Sequence, residues 1–262
     1  MVKAALSYCG ELVKTQDPDR FLLSMFAPSD VREDLWALFA FNHEIAKTRE
    51  VVSETQLGLI RLQWWRDAIG DIYERGEVLE HEVLQALARA IQAHDLSREH
   101  FDMLVHAREF DLEDVLPGNV EGLVNYADFT TTPLMKLAMQ ISGGGAGEPI
   151  QPVAVNYALA GVLRSVVFYA GQRRCLLPED LMKVHGQSVN QLYELKPAAS
   201  LPEIVKSVSE QVVEGVVCEN KMLKATNRLA SMYLKQVRGA RYDVFHPKVA
   251  VPPAFKALRL LF

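Results

Sequence analysis

The 262-residue chain has only three cysteines, Cys9, Cys175 and Cys218, far apart in sequence. There is no CxxC pair and no Cys/His cluster at zinc spacing, so neither a disulfide framework nor a structural zinc site is expected. Free thiols in a reducing compartment are the simplest reading. Long apolar runs are missing as well. No window approaches the ~20 consecutive apolar residues that a membrane-spanning helix needs. The opening segment MVKAALSYCGELVKTQDPDR is broken by Glu11 and Lys14. It does not read as a secretory signal, and no mitochondrial transit peptide is visible. No stretch is strongly basic and the formal net charge is −5, which argues against a nucleic-acid partner. The seven histidines include no i,i+4 pair and no HExxH pattern. Strand-period alternation, internal repeats and low-complexity tracts are also lacking.

What remains is helical periodicity. Ser29 is placed to cap a helix through DVREDLWALFAFNHEIAKTREVV. Its apolar positions Val31, Leu35, Leu38, Phe39 and Ile45 step by three and four, with Asn42 as a polar gap. QLGLIRLQWWRDAIGDIYERG follows, with Gly76 as its C-terminal stop. Two shorter helices come next, VLEHEVLQALARAIQAHDL and REHFDMLVHAREFDLED. VEGLVNYADFTTTPLMKLAMQISGGG reads as helix on both sides of Pro133, where a kink or break is predicted. SLPE at 200–203 has capping-box spacing, with Ser200 as cap and Glu203 reaching back. That helix is predicted to run to about Arg238. The expected fold is all-α, a single domain over residues 1–262 built as one bundle of eight or more helices.

GVLRSVVFYAGQRRCLLPEDL, Gly161 to Leu181, is a long apolar helix followed by arginines and a Leu-Pro stop. Residues four apart share a helix face, so Gly161, Ser165, Tyr169 and Arg173 are predicted to line one side. An α-bundle that handles diphosphates presents carboxylates at this spacing to hold Mg²⁺. Neither Ser165 nor Tyr169 is an anionic ligand at neutral pH.

VLRSVVFYAGQRRCLLPEDL resembles the second signature of the squalene/phytoene synthase family of all-α prenyltransferases, approximately N-I-L-R-D-V-x-E-D-x-x-R-G-R-x-Y-L-P. Leu163, Arg164, Val166, Arg174, Leu177 and Pro178 match. The family's asparagine falls on Gly161, its two metal-binding aspartates on Ser165 and Tyr169, and its glutamate on Phe168. The first signature, F-C-R-x-x-D-D-x-x-D-E, falls on FNHEIAKTREV. Phe41 matches, Ala46 and Lys47 replace the leading aspartates, and Glu50 keeps a carboxylate. Further echoes are Ala37-Leu38-Phe39, Trp65-Arg66, Asp111-Leu112 and Tyr126. The resemblance covers about residues 18–235 and implies the isoprenoid synthase fold. It also implies a Mg²⁺-dependent ionisation step that these substitutions remove, since Lys47 adds a positive charge where the metal would sit.

The detail of RRCLLPEDLMKVHG, and of YDVFHP at 242–247, is similar to one branch of the family. Those are the mitochondrial and α-proteobacterial assembly factors of respiratory complex I. That resemblance implies a non-catalytic protein whose partners are complex I subunits or assembly intermediates. It implies a place in the bacterial cytoplasm or mitochondrial matrix, peripheral on the inner membrane. No catalytic residue, metal ligand or cofactor is then expected. The alternative is an active head-to-head prenyltransferase that uses Mg²⁺ in an unusual site.

The candidate ligand-binding residues are Lys47, Glu50, Arg66, Arg164, Ser165, Tyr169 and Arg174. A basic, apolar-walled cleft suits an anionic lipid or a prenyl diphosphate held without turnover. For Arg164 and Arg174 two readings stay open: a phosphate site, or salt bridges to a neighbouring helix, for instance to Glu50 or Asp111. Phe168 and Tyr169 are bulky enough to fill part of the cavity. Of Trp64 and Trp65 only one can face the core. Cys175 is read as a plain buried thiol rather than one activated by Arg174. The closing VAVPPAFKALRLLF, with Lys256 and Arg259, can lie on a membrane surface or dock back on the bundle.

Overall fold

The computed structural model describes residues 5–261, and among them every regular element is helical. The helices are α1 (Tyr8–Gln16), α2 (Pro18–Ser24), α3 (Arg32–Ala46), α4 (Thr48–Val51), α5 (Thr55–Glu74), α6 (Glu82–His94), α7 (Arg98–Phe110) and α8 (Val120–Ser142). They continue with α9 (Ile150–Arg164), α10 (Val166–Gly171), α11 (Glu179–Val184), α12 (Val189–Tyr193), α13 (Leu201–Ser209), α14 (Lys221–Gly239), α15 (Pro247–Ala250) and α16 (Lys256–Leu261). The start of the opening segment and the final Phe262 lie outside the described residues. The all-α fold class expected from periodicity is what the chain adopts.

The chain forms two compact units. One comprises residues 1–113, 133–148 and 218–223; the other comprises 114–132, 149–217 and 224–262. In the first unit α3 is the central element, packed against α1 and α6. It is buried nearly all round, from Leu35 through Asn42. Trp36 stacks on Phe21 with centroids 5.3 Å apart. Its indole N–H donates to the Ser24 hydroxyl at 2.8 Å. Phe41 meets Trp65 and Phe101 edge-on, both at 5.5 Å. Burying each such side chain is worth ~1.5–3 kcal/mol, so this aromatic cluster is a main source of the unit's stability. Gly10 allows α1 to close on α3, because a Cβ there would stand 2.8 Å from the Trp36 ring. Trp65 is buried and Trp64 is 40% exposed, as the sequence required of adjacent tryptophans.

In the second unit α9 packs against α13, and α10 against α12. Asn156, buried on α9, pins the segment after α13. Its side-chain amide donates to the Val213 carbonyl at 2.9 Å, and its oxygen accepts from the Val213 N–H at 3.0 Å. Asn227 on α14 donates to the Val216 carbonyl at 3.2 Å.

Several local expectations need correction. The helix from SLPE does not reach Arg238; it stops at Ser209, and residues 210–220 are non-helical before α14. Ser200 does not cap through its side chain, which instead donates to the His185 carbonyl at 2.5 Å. The capping box in this region belongs to Ser188 and Gln191. Of the kink or break expected at Pro133, the break is absent: α8 continues through the proline. The buried Thr130 hydroxyl donates to the Tyr126 carbonyl at 2.8 Å just before the proline, and the two units meet in sequence at this point of α8.

Candidate functional site

Each signature-like stretch sits where one helix ends and another begins. In the first unit the long helix expected over Asp30–Val52 is interrupted. α3 stops at Ala46, Lys47 joins the two helices in a right-handed helical backbone with φ −73° and ψ −5°, and α4 restarts at Thr48. The Lys47 ammonium lies 2.6 Å from one oxygen of Glu44. The Arg61 guanidinium, from α5, lies 2.8 Å from the other oxygen. Glu44 is buried, and each of its oxygens is paired with a cation, so its charge is already compensated. Glu50 is exposed on α4. Arg66 pairs with Glu109 at 2.7 Å and accepts no isolated role: its second nitrogen donates to Gln63 at 2.8 Å. Burial pushes the Glu109 carboxyl up, but hydrogen bonds from Arg66 and His106 outweigh this and hold it below the usual range. Half-buried His43 is held below its ordinary value, first by burial and then by the Lys47 ammonium.

In the second unit α9 stops at Arg164, Ser165 makes the joint, and α10 covers only Val166–Gly171. The single face Gly161–Ser165–Tyr169–Arg173 therefore does not form. Arg173 lies beyond the helix, exposed, with φ of 55°. The Arg164 guanidinium lies over the buried Tyr233 ring, its carbon 3.5 Å from the centroid. Arg174 donates to the Tyr126 hydroxyl at 3.0 Å and lies 5.0 Å from the Tyr169 centroid. Phe168 is 60% exposed, so it does not fill a cavity, and Tyr169 is half-buried beside it. A shallow hollow with room for little more than a water molecule is lined by Val162, Val166, Tyr169, Arg174, Leu177 and Leu192. Cys175 borders it as a buried thiol, pushed up to about 11 by desolvation.

The donor set does not suit the Mg²⁺ cluster that the signatures imply. Among the described residues no three of His, Cys, Asp or Glu come together as a metal site. The second signature supplies a hydroxyl, a phenyl ring and a phenol where carboxylates are needed. In the first, the one buried carboxylate, Glu44, is taken up by Lys47 and Arg61. Sequence reasoning missed Glu44, Arg61, Glu109 and Tyr233. Only Glu44 carried a signal, its i,i+3 spacing to Lys47.

Residues 13–215 match the squalene/phytoene synthase family. The chain belongs to that family. Among similar proteins, a bovine (Bos taurus) protein named as NADH dehydrogenase (ubiquinone) complex I, assembly factor 6 is 27% identical, covering 92% of this chain and 76% of its own length. The human (Homo sapiens) counterpart is 26% identical over the same shares. A phytoene synthase from Thermus thermophilus is 27% identical, over 66% of this chain and 58% of its own. Among solved structures, a dehydrosqualene synthase superposes with a TM-score of 0.79 at 16% identity, covering 97% of this chain and 93% of that one. A squalene synthase from Alicyclobacillus acidocaldarius gives 0.73 at 15% identity, covering 89% and 93%. The family's isoprenoid synthase fold is therefore the fold of this chain.

Proposed function

We propose that this chain is a non-catalytic member of its family, which supports assembly of the NADH:ubiquinone oxidoreductase by binding rather than by turnover. The observation that carries the reading is the ion-pair set Lys47–Glu44–Arg61 at the joint where the family's first aspartates fall. An ammonium in that place repels divalent cations, and the nearby carboxylate is already neutralised. The relatives named as complex I assembly factor 6, matched over 92% of the chain, supply the process. Arg174, at the rim of the hollow, and Arg164, over the Tyr233 ring, are the guanidinium groups that would meet the headgroup of an anionic lipid or prenyl diphosphate without metal. The closing segment supports a peripheral membrane contact in the bacterial cytoplasm or mitochondrial matrix. Val251, Phe255, Leu258 and Leu261 are exposed beside Lys256 and Arg259, while Leu260 turns inward. No helix among the described residues is long and apolar enough to cross a membrane.

Purified protein incubated with Mg²⁺ and farnesyl or geranylgeranyl diphosphate is expected to release no pyrophosphate above the buffer rate. Removal of the protein from its source is expected to lower the amount of assembled NADH:ubiquinone oxidoreductase. The competing reading, an active prenyltransferase with an unusual Mg²⁺ site, has the similarity to the Thermus thermophilus phytoene synthase in its favour. It requires turnover that a chelator abolishes.

A further inference from the structure

The outer face of α5 carries an apolar ridge that the site above does not use. Leu57, Ile60 and Trp64 follow one another at spacings of three and four, and are 48%, 60% and 40% exposed. Val78 and Leu79, exposed on the turn after α5, lead into His81, whose ring lies 5.8 Å from that of Trp64. Trp64 is also held edge-on by Trp65 at 5.0 Å. It is thus a fixed aromatic surface rather than a mobile side chain, the kind of anchor that dominates binding energy at protein interfaces. Exposed apolar side chains scattered singly need no explanation, but five in one neighbourhood do.

The charges around the ridge are mostly acidic. From Asp67 to Glu82 there are six carboxylates and a single arginine, and of the six Glu74 is paired with Arg98 of α7 and Asp71 with Arg75. The arginines of and just after α5 are each matched by a carboxylate: Arg61 by Glu44, Arg66 by Glu109 and Arg75 by Asp71. Glu77, Glu80 and Glu82 are exposed. An anionic bilayer would be repelled by this rim. A helix with leucines on one side and lysines or arginines on the other would be complementary to it.

We propose that the Leu57–Ile60–Trp64 ridge is a docking site for a cationic amphipathic segment of a partner protein. Its apolar side chains sit on the ridge, and its cations lie over the Asp67–Glu82 rim. This proposal does not depend on whether the chain turns over prenyl diphosphates, and its assay reads binding only. The chain's own Val251–Leu261 segment has related chemistry, so self-association is an outcome the test must separate.

The probe is a fluorescent synthetic helix of leucine and lysine, about five turns long, added to the full chain and followed by anisotropy and by tryptophan emission. Saturable binding is expected, weakened at least about tenfold by Ile60→Ser or Trp64→Ala. The charge variant Glu77→Gln/Glu80→Gln leaves the ridge itself intact. It is expected to weaken binding several-fold and flatten its salt dependence. Glu203→Gln/Glu210→Gln, an equal loss of charge elsewhere, should change nothing. Thermal midpoints check that each variant is folded. The proposal is overturned if the ridge variants bind the probe like the parent, or if a leucine–glutamate helix binds equally well. It also fails if phosphatidylglycerol vesicles bind and Ile60→Ser releases them, or if sedimentation shows a dimer that Ile60→Ser dissolves.

Discussion

Arg164 lies with its guanidinium carbon 3.5 Å from the ring centroid of Tyr233, so the arginine shared with the family's second signature is stacked on a buried aromatic of α14. Such a stack is worth ~0.5–2 kcal/mol, more as it is desolvated. Arg164→Ala and Tyr233→Leu should therefore be non-additive. A double-mutant cycle in urea is expected to give a coupling of about 1 kcal/mol. Full additivity would mean that the contact contributes nothing.

The pairs around Glu44 predict an asymmetry. Glu44→Ala leaves two cations without their carboxylate and is expected to cost about 2–3 kcal/mol. Lys47→Met leaves Arg61 to neutralise Glu44 and should cost under about 1 kcal/mol. Urea midpoints of the two variants decide this, and equal losses would show that Lys47 matters as much as the buried acid.

Acidification should weaken the fold before the carboxylates titrate. His43 and His100 are both held below the ordinary value of 6.5, mainly by burial, with Lys47 and Lys136 adding to it. The unfolded chain then binds the proton more tightly than the folded one. Their contribution is complete above pH 6.5 and is lost as pH falls from there through the folded-state values. Thermal midpoints between pH 7 and pH 5.5 should fall, and His43→Gln/His100→Gln should flatten that slope whatever its effect at pH 7.

Thiol chemistry should be silent in the folded state. Cys9 and Cys175 are buried and pushed up to about 11 by desolvation. At pH 8 only about one part in a thousand is thiolate. Ellman's reagent is expected to react slowly with the native chain and rapidly with three thiols in urea. Fast native labelling at Cys175 would mean that Arg174 activates it after all.

Close packing gives a steric prediction. Gly10→Ala places a methyl group 2.8 Å from Trp36, whose ring is fixed by Phe21 on one side and by its bond to Ser24. The expected cost is about 1–3 kcal/mol, read from the urea midpoint. A neutral result would show that α1 shifts freely on α3.

The helical class and most helix positions were legible because apolar spacing of three and four is local information. α6 and α7 lie inside the stretches that periodicity assigned them. The end of α13 was not legible. EQVVEGVV continues an apolar pattern; Gly215, at φ 73°, is its one local stop signal, and the amide of Asn156, 57 residues earlier in the chain, holds the Val213 backbone in its non-helical course. The joints at Lys47 and Ser165 were hidden for a similar reason, as neither Gly nor Pro marks them. Of the candidate site, the absence of carboxylates at Ser165 and Tyr169 was plain from the letters. The partners of Lys47, Arg66 and Arg174 were not, because Arg61, Glu109 and Tyr126 come from other helices or distant turns.

The Lys47–Glu44–Arg61 arrangement also constrains what can stand at position 47. Replacing Lys47 by aspartate would set a carboxylate within one helical turn of Glu44 and strip that acid of one of its two counter-charges. The two positions are therefore coupled: an acid at 47 is tolerated only when Glu44 changes with it, and the pair is expected to vary together rather than singly.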